Sequence, residues 1–127
     1  MRILAIDDEE LMLDAIARML RGHAEVVTAS GGKEALAIID GDDAFDVILC
    51  DLMMPRLSGA DVFERACAAH PGLADRFVFL SGGASGARPR AFLAGQVGAH
   101  LPKPFTAAAL RALVRERAAR AASRPEA

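Results

Sequence analysis

The feature that most constrains the fold is a regular alternation of short apolar runs with segments of helical periodicity. The runs at 3–6 and 47–50 carry no charged side chain, and strands this apolar belong in a parallel sheet covered on both faces. The alternation predicts strands at 2–6, 24–29, 46–50, 76–80 and 98–101. It predicts helices at about 9–21, 32–40, 59–69, 88–95 and 106–121. Strict alternation favours right-handed crossovers with helices on both faces of one sheet.

Helix-start residues agree with these boundaries. Ser30, Ser58 and Thr106 each come just before a predicted helix, where a side-chain oxygen can accept from the first backbone amides. With 127 residues, we expect one domain over 1–121 and a frayed tail over 122–127.

Composition excludes several classes of protein. No apolar stretch approaches the roughly 20 residues that a membrane span needs, and no signal peptide precedes the first strand. A net charge of −2 gives no global case for nucleic-acid binding. Cys50 and Cys67 lack metal-ligand spacing, which favours buried thiols in a reducing compartment. We therefore expect a cytoplasmic protein.

Three aspartates come at the ends of two predicted strands. Asp7 and Asp8 follow the first strand, and Asp51 follows the third. In open parallel sheets, sites form beyond the carboxyl ends of the strands, so these carboxylates should converge. Each pair would repel by roughly 4 kcal/mol at an effective dielectric near 20. A hard divalent cation is therefore expected among them, and Lys103 supplies one more positive charge.

The other strand-end groups suit a phosphoryl group. Carboxylate oxygens favour Mg²⁺, which takes a few carboxylates together with water and phosphate oxygens. Lys103 follows the fifth predicted strand between two prolines, and Ser81 follows the fourth and leads into Gly82. A hydroxyl, an ammonium and a divalent cation around one carboxylate would spread the charge of a phosphoryl group, which is what phosphoryl transfer mainly requires.

On these motifs the chain resembles the receiver domain of two-component response regulators over essentially its whole length. The resemblance rests on Asp7-Asp8, Asp51, Ser81 and Lys103-Pro104, which occur in order at successive strand ends. It implies a doubly wound, flavodoxin-like α/β fold. The implied sheet has five parallel strands in the order 2-1-3-4-5, with five helices on both faces.

The resemblance also implies a role for each residue. Asp51 would accept a phosphoryl group from the phosphohistidine of a histidine kinase or a histidine phosphotransfer protein. Asp8, Asp51 and the backbone carbonyl of Met53 would bind Mg²⁺ directly, and Asp7 would act largely through water. Two further residues, Ser81 and Lys103, would contact the phosphoryl oxygens. Phosphorylation would then repack the face made by the predicted helix 88–95, the fifth strand and the last helix.

Two positions depart from the common family pattern. His100 stands three residues before Lys103, where the family usually has Tyr or Phe, and it is either a modest switch residue or a plain surface histidine. The segment 81–86 is glycine-rich, and Gly82 could present its amide to the phosphoryl group or simply lie in a flexible loop. Together with 87–93 it resembles receivers fused to the C-terminus of hybrid sensor histidine kinases.

Two other functions compete with the phosphoaccepting module. A Mg²⁺-dependent phosphatase with an aspartyl-phosphate intermediate typically carries a second aspartate two residues after the nucleophile, and here that residue is Met53. A degenerate receiver that acts only as a scaffold would not need its complete set of site residues. We therefore expect a signalling module that catalyses only its own phosphorylation and dephosphorylation, with no turnover of an external metabolite.

The downstream target is not defined by the sequence. No output domain follows the receiver pattern, so we expect no direct nucleic-acid binding, no membrane contact, and a monomer or weak dimer. The chain could be a single-domain regulator, an intermediate in a phosphorelay, or the receiver of a hybrid kinase. Arginines along the last predicted helix form either a solvated face or a docking surface for an acidic partner.

Overall fold

The sheet has five parallel strands in the order β2-β1-β3-β4-β5, as predicted. The computed structural model describes residues 1–82 and 99–123. The strands are β1 Arg2–Ile6, β2 Glu25–Ala29, β3 Val47–Asp51, β4 Phe77–Ser81 and β5 Ala99–Pro102. The α-helices are α1 Glu10–Met19, α2 Gly32–Gly41, α3 Gly59–Ala69 and α4 Ala107–Ser123, with a 3-10 helix at Pro71–Arg76. The predicted helix 88–95 and residues 124–127 lie outside the described residues.

Side chains of the central strands alternate between two apolar cores. In one core, Ile48 of β3 and Phe79 of β4 pack against α2 and α3. In the other core, Leu49 of β3 packs against α1 and α4. Every residue of β3 and β4 is buried, so both faces of the sheet are covered and the doubly wound arrangement is confirmed.

Strand register brings the carboxyl ends of the central strands to one edge. Ile6 of β1 pairs with Cys50 of β3, so the residues that follow each of them are also neighbours. Asp51 pairs with Leu80 of β4, and the next residue, Ser81, pairs with Pro102 of β5. All the strand-end residues singled out in the sequence therefore lie along this edge.

Polar caps fix the starts of two helices as predicted. Ser58 Oγ accepts from the Asp61 amide at 3.2 Å, while the Asp61 carboxylate accepts from the Ser58 amide at 3.0 Å. Thr106 Oγ1 accepts from the Ala109 amide at 3.0 Å. The start of α2 differs from this pattern. Its N-cap is Gly31, which has no side chain to cap the helix, and Ser30 Oγ instead donates to the carboxylate of Glu34 in the first turn.

Several predicted boundaries were wrong by one or two residues. Asp51 and Ser81 are the last residues of β3 and β4, not the residues that follow these strands. Helix α1 ends at Met19, because a turn with Gly22 at φ +80° follows it. Helix α4 extends to Ser123, two residues into the predicted tail. Apolar periodicity marks the middle of an element better than its ends, where backbone hydrogen bonds decide.

The 3-10 helix at Pro71–Arg76 was not predicted, and neither was the cluster at its start. His70, which follows α3, lies between two carboxylates: Nδ1 is 3.0 Å from Asp43 and Nε2 is 3.2 Å from Asp40. We call these three residues the His70 cluster. Both carboxylates lie at or just after the end of α2, so the cluster ties the ends of α2 and α3 together. None of the described helices is long and apolar enough to cross a bilayer.

Candidate functional site

The site is centred on Asp51, the last residue of β3. Asp51 is 4% exposed, and Asp7, which directly follows β1, is fully buried. Asp8 is exposed at the rim of the site. One carboxylate oxygen from each of these three residues lies within 4.8 Å of the others. The predicted convergence of the three aspartates is therefore what the fold produces.

Lys103 is the cation of this cluster. Its ammonium lies 2.9 Å from Asp7 Oδ2 and 3.4 Å from Asp51 Oδ1. Its position is fixed from the backbone, because the Lys103 amide donates to the Ser81 carbonyl at 2.7 Å and extends the pairing of β4 with β5. The peptide bond from Lys103 to Pro104 is cis. Among residues 1–82 and 99–120, no cation other than Lys103 lies within ion-pair distance of the three carboxylates.

The electrostatic environment of the site raises the pKa of Asp51. Burial of its carboxylate, together with the neighbouring charge of Asp7, raises the pKa of Asp51 to about 6. The Lys103 ammonium and a hydrogen bond from the Met53 amide act in the opposite direction but do not cancel the rise. Burial also raises the pKa of the adjacent Cys50 thiol, which makes that thiol a poor nucleophile or metal ligand.

Asp7 and Asp8 have different environments. Asp7 Oδ1 accepts from the Glu9 amide at 2.9 Å, and its other oxygen accepts from Lys103. Both Asp7 oxygens therefore already have a protein partner. Asp8 has no protein partner within the described chain, and its carboxylate faces solvent. The direct binding of a cation by Asp8 and the action of Asp7 through water stay predictions.

The donor set suits a hard divalent cation. Three carboxylates lie around one ammonium, so the cluster carries an excess of negative charge. The carboxylate of Asp51 is buried within this cluster. Oxygen ligands of this kind are those that Mg²⁺ prefers. The backbone amide of Met53 contacts Asp51, and the role expected for the Met53 carbonyl stays a prediction.

Ser81 lies on the other side of the site. Its residue is 6% exposed, and its Oγ lies 2.6 Å from His100 Nε2. His100 pairs with Phe79 in the β4–β5 register, so His100 and Ser81 share a face as diagonal neighbours. Gly82 follows beside the Lys103 side chain: a Cβ placed there would lie 3.7 Å from Lys103 Cδ. The contact of Ser81 with His100 was not predicted, because it depends on the register of β4 with β5.

Gly59 is a site residue that the sequence analysis treated only as a helix start. A Cβ on Gly59 would lie 2.4 Å from the Asp51 carbonyl oxygen and 2.8 Å from Leu52 Cα. The Gly59 amide donates to the Leu52 carbonyl at 3.1 Å, which returns the chain against the end of β3. The only hint in the sequence is a glycine next to a helix cap.

Comparison with known protein families gives one match across nearly the whole chain. The sequence model described as "Response regulator receiver domain" matches residues 3–115. The matched range includes all the candidate site residues, from Asp7 to Lys103.

Individual relatives and a solved structure agree with this match. The sensor kinase CckA of Brucella abortus is 31% identical over 117 residues, which is 90% of this chain and 12% of the kinase. The transcriptional regulatory protein CutR of Streptomyces coelicolor is 36% identical over 118 residues, 91% of this chain and 52% of CutR. A crystal structure of a response regulator receiver domain protein from Clostridium thermocellum superposes with a TM-score of 0.80 at 34% identity, covering 94% of each chain.

Proposed function

The chain belongs to the response regulator receiver domain family, whose members are regulatory domains that accept a phosphoryl group on an aspartate, and from this premise we propose that Asp51 is the phosphoacceptor. The observation that carries the proposal is the placement of Asp51. It is the last residue of a buried strand, its carboxylate lies 3.4 Å from the Lys103 ammonium, and two further carboxylates lie around it. In this arrangement one carboxylate can take up a phosphoryl group while the others hold a cation.

The reaction is a transfer from nitrogen to oxygen. A carboxylate oxygen of Asp51 forms a bond to phosphorus as the bond from phosphorus to the imidazole nitrogen of the donor breaks, and the electron pair of that bond returns to the imidazole. Because the pKa of Asp51 is about 6, its carboxylate is largely ionised at neutral pH and more basic than an exposed aspartate. Both properties favour attack on phosphorus.

Three oxygens would hold Mg²⁺: those of Asp8 and Asp51 and the backbone carbonyl of Met53. Asp7 would bind through water, since its oxygens already accept from Glu9 and Lys103. When bound, Mg²⁺ supplies positive charge that offsets the carboxylates and the phosphoryl oxygens. The buried, cation-poor cluster supports this assignment through its excess of negative charge.

The phosphoryl oxygens would take their other contacts from Lys103, Ser81 and the amide of Gly82. Lys103 already lies between Asp7 and Asp51, so its ammonium needs only a small movement to reach an oxygen on the phosphorylated Asp51. Ser81 closes the opposite side. Hydrolysis of the acyl phosphate at this site returns the unphosphorylated form, so the domain acts as a switch and turns over no external metabolite.

The donor we propose is a phosphohistidine on a histidine kinase or on a histidine phosphotransfer protein, in the cytoplasm. The chain spans 12% of the sensor kinase and 52% of the transcriptional regulator that it matches. A single-domain regulator, a phosphorelay intermediate and the receiver of a hybrid kinase therefore all stay open. The glycine-rich segment that begins at Ser81 favours the hybrid kinase. The downstream target of this domain is a protein surface, and the domain itself contacts neither nucleic acid nor membrane.

An aspartyl-phosphate phosphatase is the weaker alternative. Such an enzyme needs an acid–base group near the nucleophile, and the position two residues after Asp51 is Met53, whose side chain cannot transfer protons and is half exposed. A scaffold without phosphorylation would have no need of a buried carboxylate with a raised pKa, which is unfavourable for the fold.

Incubation with acetyl phosphate, with and without Mg²⁺, tests the proposal by intact mass. We expect one added phosphoryl group in the wild-type protein with Mg²⁺, none in Asp51→Asn, and normal labelling in the control Asp14→Asn, whose carboxylate is exposed on α1. Equal labelling of Asp51→Asn would refute the assignment. If acetyl phosphate fails, transfer from a phosphorylated histidine kinase decides, and failure of both donors would favour the scaffold.

A further inference from the structure

The exposed face of α1 carries negative charge at one end and positive charge at the other. Glu10 and Asp14 lie in the first half of the helix, and Arg18 and Arg21 lie at its end and in the turn that follows; all four are exposed. Their spacing of four, four and three residues puts the side chains on one face. The Arg21 amide donates to the Arg18 carbonyl at 3.3 Å, so the turn continues the helical path. We call these four residues the α1 stripe.

The α1 stripe has no ion-pair partner among the side chains of residues 1–82 and 99–120. The opposite face of α1 packs into the core through Leu13 and Ile16, so the stripe points away from the rest of the domain. A helix dipole favours acidic residues in the first turn and basic residues in the last turn, but its effect falls off within one turn. It therefore does not account for Asp14 in the middle of the helix, and the charges of the stripe are available to a partner.

An acidic cleft opens beside the first half of the α1 stripe. It lies between α1, the end of β2 and the start of α2, and its volume is about 380 Å³. Three of its six lining residues carry carboxylates, and the full set is Glu10, Leu13, Asp14, Thr28, Ser30 and Glu34. Carboxylates this close together repel one another, and an arginine side chain placed in the cleft would offset that repulsion.

We propose that the α1 stripe is the interface of a weak two-fold dimer of this chain, in which the two copies of α1 run antiparallel. Pairing about Ile16 puts position 14 of one copy opposite position 18 of the other, and position 10 opposite position 22, one residue from Arg21. Each carboxylate of the stripe then faces an arginine of the other copy, and Arg21 reaches the acidic cleft beside Glu10. A two-fold interface uses the same surface on both copies, so that surface must be self-complementary. Two carboxylates followed by two arginines meet this condition.

The order of the charges favours a second copy of the chain over other partners. Nucleic acid or an anionic membrane would be repelled by the acidic half of the stripe and by the cleft, and the whole chain has a net charge of −2. A protein segment of one sign would match only half of the stripe and be repelled by the other half. The proposed interface also leaves β5 and α4 uncovered and does not depend on phosphorylation of Asp51.

Sedimentation equilibrium at protein concentrations up to about 1 mM tests the proposal. The chain contains no Trp or Tyr, so interference optics are the suitable detection. Exposed ion pairs are individually weak, and we therefore expect a dimer with a Kd on the order of 0.1–1 mM at low salt. Raising the ionic strength from about 0.05 M to about 0.5 M should weaken this association several-fold, because salt screens exposed charges.

Charge reversals on the stripe identify the interface. Asp14→Arg and Arg18→Asp each put like charges opposite one another, so each variant alone should associate at least about tenfold more weakly than the wild-type protein. A mixture of the two variants restores an opposite charge at every such contact and should form a mixed dimer as tight as the wild-type dimer. Glu64→Arg and Arg65→Asp, at exposed positions on α3, change the net charge by the same amounts and should leave association unchanged. Circular dichroism of each variant verifies that it is folded.

Three results would overturn the proposal. The first is a wild-type protein that stays monomeric at about 1 mM and low salt. The second is a dimer that both stripe variants retain, which would place the interface on another surface, such as the arginines of α4. The third is a mixture of Asp14→Arg and Arg18→Asp that stays as monomeric as each variant alone, because the loss of association would then not come from contacts between positions 14 and 18 of the two copies.

Discussion

Asp51→Asn should stabilise the protein while it abolishes phosphorylation. The pKa of Asp51 is raised from an ordinary value of 3.8 to about 6, mainly by burial and by the charge of Asp7. A difference of roughly two units corresponds to about 3 kcal/mol at about 1.4 kcal/mol per unit. Asparagine resembles the neutral acid in shape, and solvent at the sheet edge screens part of the Asp51 charge. We therefore expect a smaller gain of about 2 kcal/mol in the free energy of unfolding at pH 7, or about 8 °C in Tm.

The sign of the pH dependence follows from proton binding. Between pH 3.8 and about 6 the folded protein holds a proton on Asp51 that the unfolded chain has lost. The Asp51 contribution to stability therefore falls as pH rises through this window, and it stays unfavourable above it. The advantage of Asp51→Asn should accordingly be complete at pH 7 and nearly absent at about pH 4.

Urea unfolding of metal-free protein at the two pH values measures this difference. The control Asp14→Asn removes an exposed carboxylate from α1 and should change stability by less than about 0.5 kcal/mol at either pH. Mg²⁺ at about ten times its Kd should stabilise the wild-type protein by about 1.4 kcal/mol, and Asp51→Asn by less. A destabilised Asp51→Asn at pH 7, or the same gain at pH 4 and pH 7, would refute the argument that buried charge at Asp51 opposes folding.

Two further substitutions test contacts at other places in the fold. Gly59→Ala would place a Cβ 2.4 Å from the Asp51 carbonyl oxygen, so it should destabilise the fold by about 1–3 kcal/mol in urea unfolding, while Gly41→Ala, with open space around its Cβ, should not. The carboxylates of the His70 cluster raise the pKa of His70, so the stability that the cluster contributes is present below pH 6.5 and is lost as pH rises through the higher folded value. His70→Gln should therefore flatten the fall in urea midpoint above pH 6.5, and His23→Gln, at an exposed site, should leave it unchanged.

The strand-end aspartates could be predicted because two independent patterns agree. The apolar runs at 3–6 and 47–50 require strands that are buried on both faces, and such strands occur in parallel sheets whose carboxyl ends share one edge. Asp7 and Asp51 follow from that rule without any knowledge of the packing. Capping residues such as Ser58 were also predictable, because a cap acts through local hydrogen bonds.

Contacts between distant segments were less accessible. The bonds of His70 to Asp43 and Asp40 join residues 27 and 30 positions apart, so no local pattern predicted them. The need for glycine at position 59 depends on the path of β3 past the start of α3, which no local pattern records. Strand ends shifted by one residue because pairing with a neighbouring strand, not side-chain polarity, extends the strand.

The sequence by itself determined the order of the described strands and helices along the chain and the sheet edge at which the candidate site residues meet. These depend on periodicity and on residue type, which are local properties of the chain. Only the tertiary structure decided how those residues act on one another: Lys103 closer to Asp7 than to Asp51, a raised pKa at Asp51, and a Ser81 hydroxyl bonded to His100. Distances of this kind arise from the packing of segments far apart in the chain, and electrostatic and hydrogen-bond energies depend on such distances.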